Sequence, residues 1–118
     1  MHYANYNYYC PYLIYTGRLT EQDLFCLIDI LKPVAPKWKE IGDKLNINYS
    51  DLNIIEHKPT LIIEGVTGYF REMLSIWLKW APPNHSWPTT HNLICAVQSG
   101  GHEDLAVKLQ NCSAPTEL

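Results

Sequence analysis

Charge is scarce in this chain of 118 residues, with nine Lys and Arg against twelve Asp and Glu and a formal net charge of -3. That net charge argues against a nucleic-acid binder, because phosphate affinity comes from clustered Lys and Arg. Motifs of chemistry are missing as well. There is no CxxC pair, no HExxH, no glycine-rich phosphate loop and no nucleophile followed by a base at a familiar spacing. No apolar run is long enough to span a bilayer, and no basic stretch precedes an apolar one at the start of the sequence. The expectation is a soluble, cytoplasmic chain that is not an enzyme, takes no cofactor and makes no membrane contact. Only four cysteines occur, Cys10, Cys26, Cys95 and Cys112. They are scattered, and Cys26 and Cys95 lie inside apolar helical patterns where a free thiol acts as a small hydrophobe. Unlinked thiols in a reducing compartment are therefore expected.

What the chain does have is apolar material and order in its placement. Hydrophobic residues make up 47% of the sequence, which permits a packed core and argues against disorder. Six of eight tyrosines fall between Tyr3 and Tyr15, in a stretch with no helical period that contains Pro11 and ends at Gly17. Residues 1–17 read as a tyrosine-rich arm or linker, 18–110 as one domain, and 111–118 as a polar tail.

The domain has a helical period throughout. Thr20 is placed to cap a first helix in which Leu24, Leu27, Ile28 and Leu31 share a face, and Pro33 ends it. A second helix is expected from near Pro36, burying Trp38, Ile41 and Leu45, with Gly42 at a close packing contact. Ser50 is the expected cap of a short third helix, with Leu52, Ile55 and Ile54 inward and Pro59 as its limit. The fourth helix has the clearest stripe: Val66, Tyr69, Phe70, Met73, Leu74, Trp77 and Leu78. After a proline-rich loop, Leu93, Ile94 and Val97 mark a fifth helix stopped by Gly100-Gly101, and Leu105, Ala106 and Leu109 mark a sixth. No alternation of period two is long enough for a strand. The fold class expected is all-α, a six-helix antiparallel bundle.

The order of these features resembles the death-domain family from Leu19 to about Gln110. The residues that carry the likeness are Trp38, Ile41-Gly42 and Leu45 in PKWKEIGDKLNINYSDLNIIEH, and Met73, Leu74 and Trp77 in YFREMLSIWLKW. Leu93, Ala96, Val97, Leu105, Ala106 and Leu109 in LICAVQSGGHEDLAVKL complete it. One departure is visible: the family often has Pro-Thr-Trp before the fifth helix, where this chain has Pro88-Thr89-Thr90, with Trp87 just upstream. The resemblance implies a protein–protein interaction module whose partners are other death-fold domains, homotypic or heterotypic, in signalling toward cell death or inflammation. It also implies contacts running from the first and fourth helices to the second and third of a neighbour, and through the loop between the third and fourth.

The charges permit a reading of their own. Lys37, Lys39, Lys44 and Lys58 would form a basic face, and Glu21, Asp23, Asp29, Glu64 and Glu72 an acidic one, suited to head-to-tail homo-oligomers. Leu61, Ile62 and Ile63 would add an apolar anchor in the loop. Two competing readings stand beside this one. In the first, His85, His91, Cys95 and His102 would serve a small helical metal protein or enzyme, with His91 and Cys95 at i, i+4 as the nearest approach to a ligand pair. In the second, the fold is a packing domain within a larger chain.

Overall fold

A computed structural model describes residues 17–113, with side chains described through Gln110. The tyrosine-rich arm before Gly17 and the end of the tail lie outside the described residues.

Six helices account for the domain: α1 Leu24–Leu31, α2 Trp38–Lys44, α3 Tyr49–Glu56, α4 Val66–Leu78, α5 Thr90–Ser99 and α6 Glu103–Ser113. A 3-10 turn, Glu21–Asp23, leads into α1; a second 3-10 segment, Lys32–Lys37, joins α1 to α2; and a single helical turn, Pro59–Ile62, lies between α3 and α4. No strand occurs among the described residues. The fold is the all-α six-helix bundle that the periodicity predicts.

Local chemistry explains the boundaries. Thr20 begins the first helical segment through reciprocal capping, its hydroxyl accepting the Gln22 N–H at 3.2 Å while the Asp23 carboxylate accepts the Thr20 N–H at 2.8 Å. Pro33 does end α1 as an α-helix, but the chain continues in tighter 3-10 form, burying Val34 and Ala35 before Trp38 starts α2. α2 stops when Asn46 turns left-handed at φ 70°. The Asn46 N–H then reaches the Asp43 carbonyl at 2.9 Å, and the Ile47 N–H reaches that of Gly42 at 3.0 Å. α5 ends in the same way: Gly101 has φ 86°, and the His102 N–H bonds the Val97 carbonyl at 3.1 Å. Both are Schellman closures, which satisfy carbonyls the helix leaves without partners.

Three expectations about α3 and α4 need correction. Asn48, not Ser50, is the N-cap of α3, and it makes no side-chain cap bond. Ile54 is 59% exposed; only Leu52 and Ile55 of that helix face inward. Val66 is 41% exposed, because α4 begins after Gly65 at φ 70° and its first turn has not yet reached the core.

The core is one continuous cluster from Leu19 to Leu109. α4 runs through its centre, packed against α1, the 3-10 segment, α2 and α3, while α5 and α6 pair with each other and close over α2 and α1. Phe70, Met73, Leu74 and Trp77 on α4 are essentially inaccessible to solvent. Gly42 brings α2 onto α3 and α4: a Cβ placed there would lie 2.7 Å from Leu52 Cδ2 and 3.3 Å from Met73 Cγ. Trp38 meets Tyr69 at 5.3 Å between ring centroids. The start of the domain is tied to the loop before α5, with the Leu19 N–H bonding the Pro88 carbonyl at 2.9 Å and the Thr90 N–H bonding that of Gly17 at 2.8 Å.

The cysteines depart from expectation. Cys26 is disulfide-bonded, where an unlinked thiol was expected. Cys95 is free and exposed, not a small hydrophobe of the core.

Candidate protein-interaction surface

Internal pairing divides the charged residues into two sets. On the basic side, Lys39 forms an ion pair with Glu56, clasping α2 to α3, and its ammonium lies 5.3 Å from the Tyr49 ring centroid. Lys58 pairs with Glu72 at 2.6 Å, tying the end of α3 to α4. Lys37 and Lys44 are exposed and have no ion-pair partner among the described residues. Lys37 ends the 3-10 segment just before α2, and Lys44 is the last residue of α2.

The acidic set thins further. Asp23 is 1% exposed and belongs to the cap of the first turn, so it is removed from the expected acidic face. Burial pushes its carboxyl above the ordinary value of 3.8, against the lowering effect of its hydrogen bonds from Thr20. Glu64 pairs with Arg71, Glu72 with Lys58, and Glu21 approaches Lys79 at 3.6 Å. Asp29 is exposed and has no ion-pair partner among the described residues. The Lys39–Glu56 pair shifts both partners: the hydrogen bond from Lys39 holds Glu56 below 4.5, and the same bond holds Lys39 above 10.5.

The expected apolar anchor is also divided. Leu61 is 5% exposed and part of the core, whereas Ile62 is 62% and Ile63 95% exposed. Its single helical turn directs Leu61 inward and leaves the next two residues outside.

Several exposed apolar residues escaped the sequence reading. Phe25 is 78% and Tyr49 71% exposed. Phe25 and Asp29 are four residues apart on α1 and share one stripe. The signal was present, since Phe25 lies off the Leu27–Leu31 face, but an off-face aromatic has no partner in a periodicity argument.

The candidate ligand residues of the metal reading are placed as follows. Cys95 Sγ lies 3.6 Å from His91 Nε2, as their helical spacing requires. His85 stacks on Trp80 at 4.0 Å, and His102 Nε2 is buried with no hydrogen-bond partner among the described residues. Among the described residues no three His, Cys, Asp or Glu side chains come together as metal ligands. None of the described helices is long and apolar enough to cross a membrane.

At the unusual Pro88-Thr89-Thr90, Thr89 caps α5 by accepting the Asn92 N–H at 3.1 Å. Thr90 is buried, and its hydroxyl has no hydrogen-bond partner among the described residues. Trp87 does not fill the core there: it is 41% exposed, and the Arg18 guanidinium lies over its ring, 3.4 Å from the centroid. It lines a cleft of about 250 Å³ with Lys44, Leu45, Asn46, Trp77, Trp80, Ser86, Asn92 and Cys95.

Compared with known proteins, residues 21–113 match the family model described as Death domain. No curated protein and no solved structure matches the chain.

Proposed function

The chain belongs to the death-domain family, whose members are protein–protein interaction modules, and from that premise we propose that it assembles with other death-fold domains, copies of itself included, in cytoplasmic signalling toward cell death or innate immunity. The observation that carries the reading is the unequal distribution of unsatisfied charge. Lys37 and Lys44, just before and at the end of α2, and Asp29 on α1 have no ion-pair partner among the described residues, while Lys39, Lys58, Glu64 and Glu72 are each paired internally. The α1 stripe of Phe25 and Asp29 on one domain meets Lys37 and Lys44 of a neighbour. The two surfaces differ, so the contact is heterologous and repeats from copy to copy.

Magnitudes assign the roles. An exposed ion pair contributes about 0.2–1 kcal/mol, and burying an exposed phenyl ring about 1.5–3 kcal/mol. Phe25 therefore supplies most of the affinity, while Asp29 and the lysines set orientation and on-rate. Glu40 and Asp43 are also exposed on α2, and they limit how strongly the basic side attracts.

The test is binding of the full chain to itself and to a panel of immobilised death-fold domains. Phe25→Ser, and separately Lys37→Glu with Lys44→Glu, should abolish capture and concentration-dependent sedimentation while leaving helical circular dichroism intact. Capture that is unchanged in both variants refutes the proposed surfaces.

A further inference from the structure

The cleft beside Trp87 calls for a group of mixed character. Its accessible lining is more polar than apolar. Leu45 and Trp77 belong to the core, at 4% and 2% exposure, so Trp80 and Trp87 supply what apolar surface is open. Around them stand the Lys44 ammonium, the amides of Asn46 and Asn92 and the Ser86 hydroxyl. The volume of about 250 Å³ falls below the roughly 300–1,000 Å³ of sites for drug-sized ligands. Indole rings bordered by hydrogen-bonding groups suit a phenol, which brings an apolar ring and a hydroxyl that both donates and accepts.

The cleft also lies where the tyrosine-rich arm joins the domain. The Gly17 carbonyl accepts the Thr90 N–H at 2.8 Å and the Pro88 carbonyl accepts the Leu19 N–H at 2.9 Å, which makes Arg18 and Thr89 an antiparallel bridge. Trp87 and Asn92, both lining residues, flank that strip, and the Arg18 guanidinium covers one side of the Trp87 ring. The arm is therefore anchored at the cleft's rim. Tyr15 and Tyr12 precede Gly17 by two and five residues, which at ~3.4 Å per residue gives them reaches of about 7 Å and 17 Å.

We propose that the cleft is the docking site of this chain's own residues 12–16, with a tyrosine ring against Trp80 and Trp87 and its hydroxyl among Lys44, Asn46 and Asn92. Tethering favours this occupant over a separate molecule. A segment already fixed at Gly17 reaches the cleft at high effective concentration, without the translational and rotational cost of association. The same contact takes up Lys44, one of the two lysines on which the assembly reading above depends, so the docked segment and a neighbouring domain compete for it. The competition rests on that reading; the docking does not.

The experiment uses the full chain with a photoreactive benzophenone amino acid in place of Leu13, which leaves both tyrosines intact. A heavy-isotope copy mixed in separates crosslinks within a chain from those between chains. Irradiation should join residue 13 to the peptide carrying residues 44–46, the wall that the end of α2 contributes, within one chain. Tyr12→Ser with Tyr15→Ser, both outside the packed domain, should lower the yield of that product about tenfold. Crosslinks that fall on other faces of the domain, that form only between chains, or that survive the loss of both tyrosines overturn the proposal. For the competition, the same double variant without the photoreactive group should self-associate up to about fivefold more tightly than the parent by sedimentation velocity, the worth of one exposed ion pair. Unchanged or weaker association overturns the competition. Parent and variant that both stay monomeric overturn self-assembly, while the crosslink still decides the docking.

Discussion

Replacing Gly42 by Ala sets two effects of known size against each other. In a helix interior Ala is favoured over Gly by about 0.8–1 kcal/mol, so an open site would be stabilised. At this site the new Cβ would stand 2.7 Å from Leu52 Cδ2 and 3.3 Å from Met73 Cγ, and both partners are buried, at 2% and 0% exposure. Overpacking of a filled core costs about 1–3 kcal/mol. The net expectation is destabilisation by about 1 kcal/mol, the difference between those ranges. Leu52→Ala alone should cost about 2–5 kcal/mol through the space it leaves. In the double variant the methyl group introduced by Gly42→Ala would enter that space, so the combined loss should be smaller than the sum by about 1 kcal/mol. Urea unfolding followed by tryptophan fluorescence and by far-ultraviolet circular dichroism measures all four corners of the cycle. Stabilisation by the full helix-propensity value, or additivity within error, would refute the close approach of α2 to α3 and α4.

Other substitutions and pH test the remaining contacts. Trp77→Ala removes a side chain 2% exposed at the centre of the bundle and should cost about 3–5 kcal/mol; a melting temperature close to the parent's would contradict its core assignment. Thr20→Ala should cost about 0.5–2 kcal/mol by freeing the Gln22 N–H, seen as a lower urea midpoint with an unchanged slope. The Lys39–Glu56 pair gives a pH signature with two limbs. Glu56 is lowered from 4.5, so its contribution is present above that value and is lost as pH falls through the lower folded-state value. Lys39 is raised from 10.5, so its contribution is present below that value and is lost as pH rises through the higher one. Glu56→Gln should flatten both limbs in a plot of urea midpoint against pH, and identical profiles for parent and variant would count against the pair.

The parts of the fold that repeat were legible in the sequence. Leu27 and Leu31, or Met73, Leu74 and Trp77, recur at helical spacing, and burial follows from that period alone. The Thr20 cap and the Gly100-Gly101 stop were legible because their backbone needs select particular residues. Errors arose where one turn decides the outcome. Ile54 adjoins the buried Ile55 and differs from it only in direction, and Leu61 is buried while Ile62 is not, because an isolated helical turn offers a single inward position. Asp23 reads as surface charge in the sequence, although its carboxylate serves in the cap of the first turn. Pairing across helices, such as Lys58 with Glu72, follows no sequence period, so the division of charges into neutralised and available sets required the fold. The cleft was wholly hidden: its walls come from Lys44–Asn46, Trp77–Trp80 and Ser86–Cys95, segments brought together only by packing.

The proposal that complementary surfaces join one domain to the next is tested most directly by a charge swap. Asp29→Lys in one chain and Lys37→Glu with Lys44→Glu in another should each abolish concentration-dependent sedimentation. An equimolar mixture should restore a complex, because the reversed charges again face opposite partners. Undiminished assembly of either chain alone, or a mixture that stays monomeric after both chains have lost assembly, would contradict it.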